Sequence, residues 1–147
     1  MRALVQRVSS ASVDVGDETI AKIGRGLCVF VGVTHSDVAA DAVRMAERLW
    51  SLRIFEDREN RTNLSAHDLA REILVVSQFT LYADMSKGRR PSFVRAAPPE
   101  QAEPLIEMLV SALRDLGARV ATGRFGASMR VELANDGPFT LLVESSA

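Results

Sequence analysis

The chain has 147 residues, and 18 Lys and Arg against 19 Asp and Glu leave a formal net charge of −1. That balance excludes a globally basic nucleic-acid binder and an acidic solvating protein, but not a local basic patch. One cysteine excludes a disulfide framework and a multi-cysteine zinc cage.

The longest apolar stretch, Gly26 to Val33, is too short to span a bilayer, and no signal peptide is expected. A soluble, cytoplasmic, single domain over 1–147 is the expectation. The opening, MRALVQRVSSASVDV, is rich in β-branched residues and alternates Ala11, Val13 and Val15 with Ser12 and Asp14. It reads as a strand, closed by the turn Gly16-Asp17-Glu18 and answered by Thr19–Ile23. Leu27–Val31 is an apolar run typical of a strand buried on both faces. From Asp37 the period becomes helical through Val38, Ala42, Met45, Leu49 and Leu52, with Ser36 or Asp37 placed to cap it. Glu56 to Asp68 is polar and reads as a long loop. Ile73–Phe79 is a further strand, followed by an irregular segment from Ala83 to Pro99. Leu105, Leu109, Ala112 and Leu116 mark a second helix that starts near Pro104 and stops at Gly117. Met129, Val131 and Leu133 alternate with Arg130 and Glu132 as a strand, Asn135-Asp136-Gly137-Pro138 reads as a turn, and Phe139–Glu144 closes the chain. The order β-β-β-α-β-α-β-β is an α+β fold.

Familiar catalytic machinery is missing. His35 and His67 fall in no metal or triad spacing and read as surface or capping residues. Cys28, inside an apolar run, reads as core. No Walker loop, dinucleotide fingerprint or nucleophile elbow is present, and no metal, nucleotide or flavin cofactor is expected.

Three segments stand out. Ser77-Gln78-Phe79-Thr80-Leu81-Tyr82 places hydroxyls and an amide at a strand end, where they also serve simply to satisfy backbone groups. Asn135-Asp136-Gly137-Pro138-Phe139-Thr140 also fits a plain hairpin turn. Lys87, Arg89 and Arg90, around Gly88, suit phosphate contacts or a solvated charge run.

Together these segments resemble the D-aminoacyl-tRNA deacylase family. Its Ser-Gln-x-x-Leu motif is met by Ser77-Gln78-Phe79-Thr80-Leu81, and its Asn-x-Gly-Pro-x-Thr motif by Asn135-Asp136-Gly137-Pro138-Phe139-Thr140. The likeness runs from Met1-Arg2-Ala3 and Gln6-Arg7-Val8 through Phe55-x-Asp57, Asn63-Leu64-Ser65, Lys87-Gly88 and Arg90-Pro91-Ser92-Phe93.

The resemblance implies a mixed or antiparallel, barrel-like sheet with two main helices, in a homodimer whose active site is completed in trans. It implies hydrolysis of the ester joining a D-amino acid to the terminal adenosine of tRNA, and of mischarged glycyl-tRNA. Backbone N–H groups of Phe79 and Thr80 would bind the oxyanion, and Ser77 and Gln78 would shape the adenosine end. A cis Gly137-Pro138 from the partner subunit would exclude L side chains sterically, with Arg7 steadying it and Met129 lining the same region. Packing for Met129 and a surface arginine for Arg7 are the plainer readings of those two. Lys87, Arg89 and Arg90 would meet tRNA phosphates, and neither DNA nor membrane is expected as a partner. The alternatives are a related achiral or differently selective aminoacyl-tRNA deacylase, a non-catalytic RNA-binding module, a hydrolase using Thr80 or Cys28 as nucleophile, and a dimeric structural protein.

Overall fold

The computed structural model describes residues 1–146. Its frame is a six-stranded mixed sheet built on two long strands. These are β1 (Arg2–Val15) and β8 (Arg130–Glu144), antiparallel along nearly their whole lengths. The other edge of β1 is shared. Its first half pairs antiparallel with β3 (Gly26–Gly32), its second half with β2 (Glu18–Ile23). Beyond β3 come β6 (Glu72–Ser77) and β7 (Val120–Thr122), both parallel additions. β2 packs back towards β6 and β7, so the sheet curls almost to closure, the barrel-like form expected.

Burial follows from that curl. Val8, Val13, Ile23, Cys28, Leu74 and Val76 fill the inside of the rolled sheet. The opposite face packs Val5, Val29, Ile73 and Val75 against α1 (Ala39–Ser51) and α3 (Pro99–Asp115) through Met45, Leu49, Leu109 and Leu113. β3 sits between the two layers, so both its faces are buried and its run has no polar alternation. These are the two main helices; a four-residue α2 (Ala66–Leu69) is the third.

Four of the differences from the sequence reading have local reasons. The 56–68 stretch is not one loop: β4 (Phe55–Glu56) pairs with β5 (Thr62–Leu64), and a Ser65/Asp68 capping box opens α2. Helix α1 is capped by neither Ser36 nor Asp37. Val38 is its N-cap and donates to Asp41 Oδ2 at 2.9 Å, while Asp37 is spent on the Met1 ammonium and the Thr34 N–H. Helix α3 begins at Pro99, with Pro104 inside it. Pro99 occupies the first helical position, where a missing N–H costs nothing. Pro104 lies on the exposed side, so the Glu100 carbonyl it fails to serve is open to water.

The fourth difference matters most. Residues 135–138 are not a hairpin turn, because β8 does not reverse direction. Asn135 pairs with Val8 and Thr140 pairs with Gln6, so Asp136–Phe139 bulge out of one continuous strand opposite Arg7.

Candidate functional site

The strand expected to end at Phe79 ends instead at Ser77. Gln78 donates its N–H to the Val31 carbonyl at 2.7 Å, and the chain then winds into a single 3₁₀ turn, Phe79–Tyr82. Gly32 explains why the turn sits so close to β3. A Cβ there would lie 3.0 Å from the Gln78 carbonyl oxygen and 3.1 Å from Leu81 Cβ. The first N–H groups of such a turn have no partner within it, and Leu81 is the first residue to donate back, to the Gln78 carbonyl at 3.2 Å. Among the described residues the N–H groups of Phe79 and Thr80 therefore have no hydrogen-bond partner, and they stand at the head of a turn rather than at a strand end.

Beside this turn lies a cavity of about 650 Å³. It gathers Ser77, Gln78, Phe79 and Met129 from the expected set, and adds Phe93, Phe125 and the α3 residues Ala102 and Ile106. No charged side chain lines it. Phe79, 57% exposed, meets Phe93 edge to face with ring centres 5.1 Å apart. The Met129 sulfur accepts the Arg124 N–H at 3.4 Å, in space that a Cβ at Gly123 would invade at 2.5 Å. Phe125 and Ile106 escaped the sequence reading. Ile106 is one more apolar helix residue, and Phe125 lies in a short irregular stretch where an aromatic has no period to betray it. Phe93 lay inside a motif already quoted, but without a role.

Among the described residues no acid–base pair stands at the cavity. The Gln78 side-chain amide donates to Thr80 Oγ1, and no other side chain bonds that hydroxyl among the described residues. His35 bonds the Val94 carbonyl at 2.7 Å, and His67 stands edge-on to Trp50. Cys28 is fully buried in the rolled sheet, and burial pushes its thiol up to about 12. Among the described residues no three of His, Cys, Asp and Glu converge as metal ligands.

The second motif forms a separate cluster. Gly137-Pro138 is cis, and residues 135–138 are exposed. Arg7 is 5% exposed and spends its guanidinium on this bulge. Its Nε donates to the Asp136 carbonyl and pairs with the Asp136 carboxylate, each at 3.1 Å. Its Nη2 donates to the Gly137 carbonyl at 3.4 Å, and its Nη1 to Ile54 O at 2.7 Å. The guanidinium also lies 4.6 Å from the Phe139 ring centre, and the Asn135 amide donates to the Arg7 and Phe139 carbonyls, both at 3.0 Å. None of Arg7, Gly137 or Pro138 lines this cavity. Lys87, Arg89 and Arg90 lie exposed in the 83–98 loop, pinched by the Asp84–Ser92 bridge, and none is in an ion pair among the described residues.

Comparison with known proteins covers both clusters. A family model described as D-Tyr-tRNA(Tyr) deacylase matches residues 4–144, from the first strand to the end of the last. The chain belongs to this family. Curated relatives named D-aminoacyl-tRNA deacylase agree over nearly full length. One from Streptomyces coelicolor is 58% identical over 98% of this chain and 99% of its own, and one from Bacillus licheniformis 54% identical over all of both. Among solved structures, a protein described as "c-Myc DNA Unwinding Element Binding Protein" superposes with a TM-score of 0.94 at 43% identity, over all of both chains. A "probable eukaryotic D-amino acid tRNA deacylase" superposes at 0.82 with 20% identity, over 97% of this chain and 98% of its own, a likeness of fold. The family match spans the cavity, the 3₁₀ turn and the bulge alike.

Proposed function

We propose that this chain is an aminoacyl-tRNA ester hydrolase that removes D-amino acids from the terminal adenosine of tRNA, and that it also accepts mischarged glycyl-tRNA. The observation that carries this reading is a cavity that no charged side chain or imidazole lines among the described residues, with the unpartnered N–H groups of Phe79, on its wall, and of Thr80, next in the turn. That site suits an ester already activated for attack and would be a poor one for an amide. Each donor aimed at a developing oxyanion is typically worth about 2.7–4 kcal/mol of barrier. Phe79 and Thr80 supply these donors, while Ser77 and Gln78 shape the adenosine end. Water attacks with help from the vicinal hydroxyl of the tRNA itself. A Thr80 nucleophile would need a base beside it, and Gln78 is no base.

Chirality is then a matter of exclusion. The bulge lies outside its own subunit's cavity, is exposed, and is braced from behind by Arg7. In a homodimer it reaches the partner's cavity, where the carbonyls of Gly137 and Pro138 face the substrate α-carbon and bar an L side chain. A D side chain points to solvent, so many D-amino acids are accepted. Met129 lines the receiving wall. The 15-residue β8 has no partner on its outer edge among the described residues, and Leu142 on it is 56% exposed; long open edges of this kind are normally covered. Lys87, Arg89 and Arg90 contact phosphates of the single-stranded tRNA end, in the cytoplasm where tRNA is charged. A net charge of −1 argues against duplex DNA.

The test is hydrolysis of matched D-tyrosyl-, L-tyrosyl- and glycyl-tRNA with a chelator present, alongside binding to duplex DNA. Loss of the D and glycyl esters with the L ester intact is expected. Loss of all three would mark a differently selective deacylase, and tRNA binding without turnover a recognition module.

A further inference from the structure

The C-terminal end of the 3₁₀ turn is held by a side chain that the mechanism above does not use. Arg2, the first residue of β1, stands between Gly32 of β3 and Glu144 of β8 in the sheet. Its Nε donates to Glu144 Oε1 at 2.8 Å, its Nη1 donates to the Leu81 carbonyl at 3.1 Å, and its guanidinium carbon lies 4.7 Å from the centre of the Tyr82 ring. One planar group thus serves the last strand, the turn's carbonyl and the turn's last side chain. A lysine has neither the fork nor the flat face to do this. The bond to Leu81 also puts a cation at the end of the turn where carbonyls are left unpaired.

The strand end that carries Arg2 is tied down. The Met1 ammonium donates to Asp37 Oδ1 at 2.5 Å and to Ser145 Oγ at 3.1 Å, and the Ser145 N–H donates to the Met1 carbonyl at 3.0 Å. Met1 is 4% exposed and Tyr82 likewise 4%. The turn is seated on the bare backbone of Gly32 on one side and tied by Arg2 at its end.

We propose that Arg2 is a positioning residue for the deacylation: through the Leu81 carbonyl and Tyr82 it fixes the tilt of the turn, and with it the aim of the Phe79 and Thr80 N–H groups. This rests on the reading of those two groups as oxyanion donors. Donors help only if already aimed, and a misplacement of about 1 Å can cost on the order of 100-fold. Loss of Arg2 therefore lowers turnover and leaves substrate binding alone, since Arg2 lines neither the cavity nor the basic loop.

The experiment compares Arg2→Met, Arg2→Lys and Glu144→Gln in the full chain. It reads kcat and KM on D-tyrosyl-tRNA per folded molecule, with the folded fraction taken from melting curves, and the backbone amide NMR signals. We expect kcat to fall about tenfold in Arg2→Met, less in Arg2→Lys and least in Glu144→Gln, with KM within about twofold. The amide signals of Phe79 and Thr80 should shift while those of Val29 and Leu109 stay in place. Unchanged kcat in folded variants overturns the proposal. So does a loss of rate that merely tracks the folded fraction, or that comes with shifts throughout the core. Should Arg2→Met not fold, the other two variants decide by the same criteria. A wild-type chain that leaves the D ester intact overturns the functional reading itself and this inference with it, whereas an active wild type with indifferent variants overturns this inference alone.

Discussion

At Thr80 the hydroxyl is held by the Gln78 amide, and neither imidazole is hydrogen-bonded to it: His35 bonds the Val94 carbonyl and His67 packs on Trp50. Its backbone matters to the proposed mechanism and its side chain does not, so Thr80→Ala is expected to keep kcat within about tenfold of wild type. Single-turnover hydrolysis of D-tyrosyl-tRNA measures this, and complete loss with intact tRNA binding would favour a covalent route. Cys28 was legible from its neighbours alone, because an apolar run leaves a thiol nowhere to go but the core. Arg7 was harder to read. An arginine between Gln6 and Val8 looks like a stem lying on apolar surface, and only the fold brings the Asp136 and Gly137 carbonyls, some 130 positions away in the chain, within its reach.

At the scale of elements, periodicity revealed what was regular and misjudged where regularity stopped. Ile73–Phe79 carries strand-forming residues to its end, yet the strand stops at Ser77. The Gln78 N–H still bonds the neighbouring strand, and the next residues wind over Gly32. Asn-Asp-Gly-Pro has the chemistry of a turn, but pairing with β1 on both sides makes it an excursion from one strand. The space around Gly137 offers a sharp test. Among the described residues a Cβ there would meet only Asn135 Oδ1, at 3.5 Å, an ordinary contact. Gly137→Ala is therefore expected to melt within a few degrees of wild type, a change of roughly 1 kcal/mol or less. Its D-tyrosyl-tRNA turnover should nevertheless fall by more than about tenfold, because the proposed mechanism puts the added methyl against the partner's substrate. Full activity with an unchanged melting point would remove this loop from the site.

For the molecule as a whole, the proposed mechanism makes assembly part of catalysis, because the two clusters lie apart within one chain. Activity per subunit should vanish on dilution at the concentration where size-exclusion chromatography shows monomers. An active monomer would refute completion of the site in trans. Stability at high pH follows from two buried acids. Burial pushes Cys28 up to about 12, and burial with the nearby Asp37 charge pushes Tyr82 to about 12. The fold keeps both protonated at pH values where the unfolded chain ionises them. Their contribution is complete below the ordinary thiol range and is lost as pH rises from there towards 12. Denaturant titrations between about pH 8 and about pH 11 should show falling stability, with a shallower slope for Cys28→Ala.

By itself the sequence determined the α+β class, the strand and helix stretches that carry a clear period, the doubly buried run before the first helix, and the two motifs from which the family could be read. These are local properties, written in alternation, spacing and turn chemistry. Tertiary structure decided the rest. It made one strand of two, turned a strand end into a 3₁₀ turn with unpartnered N–H groups among the described residues, moved the start of the second long helix forward to Pro99, and tied Arg2 and Arg7 to residues far along the chain. Such features depend on pairing and close approach between segments distant in sequence, and no local pattern of side chains encodes where those segments meet.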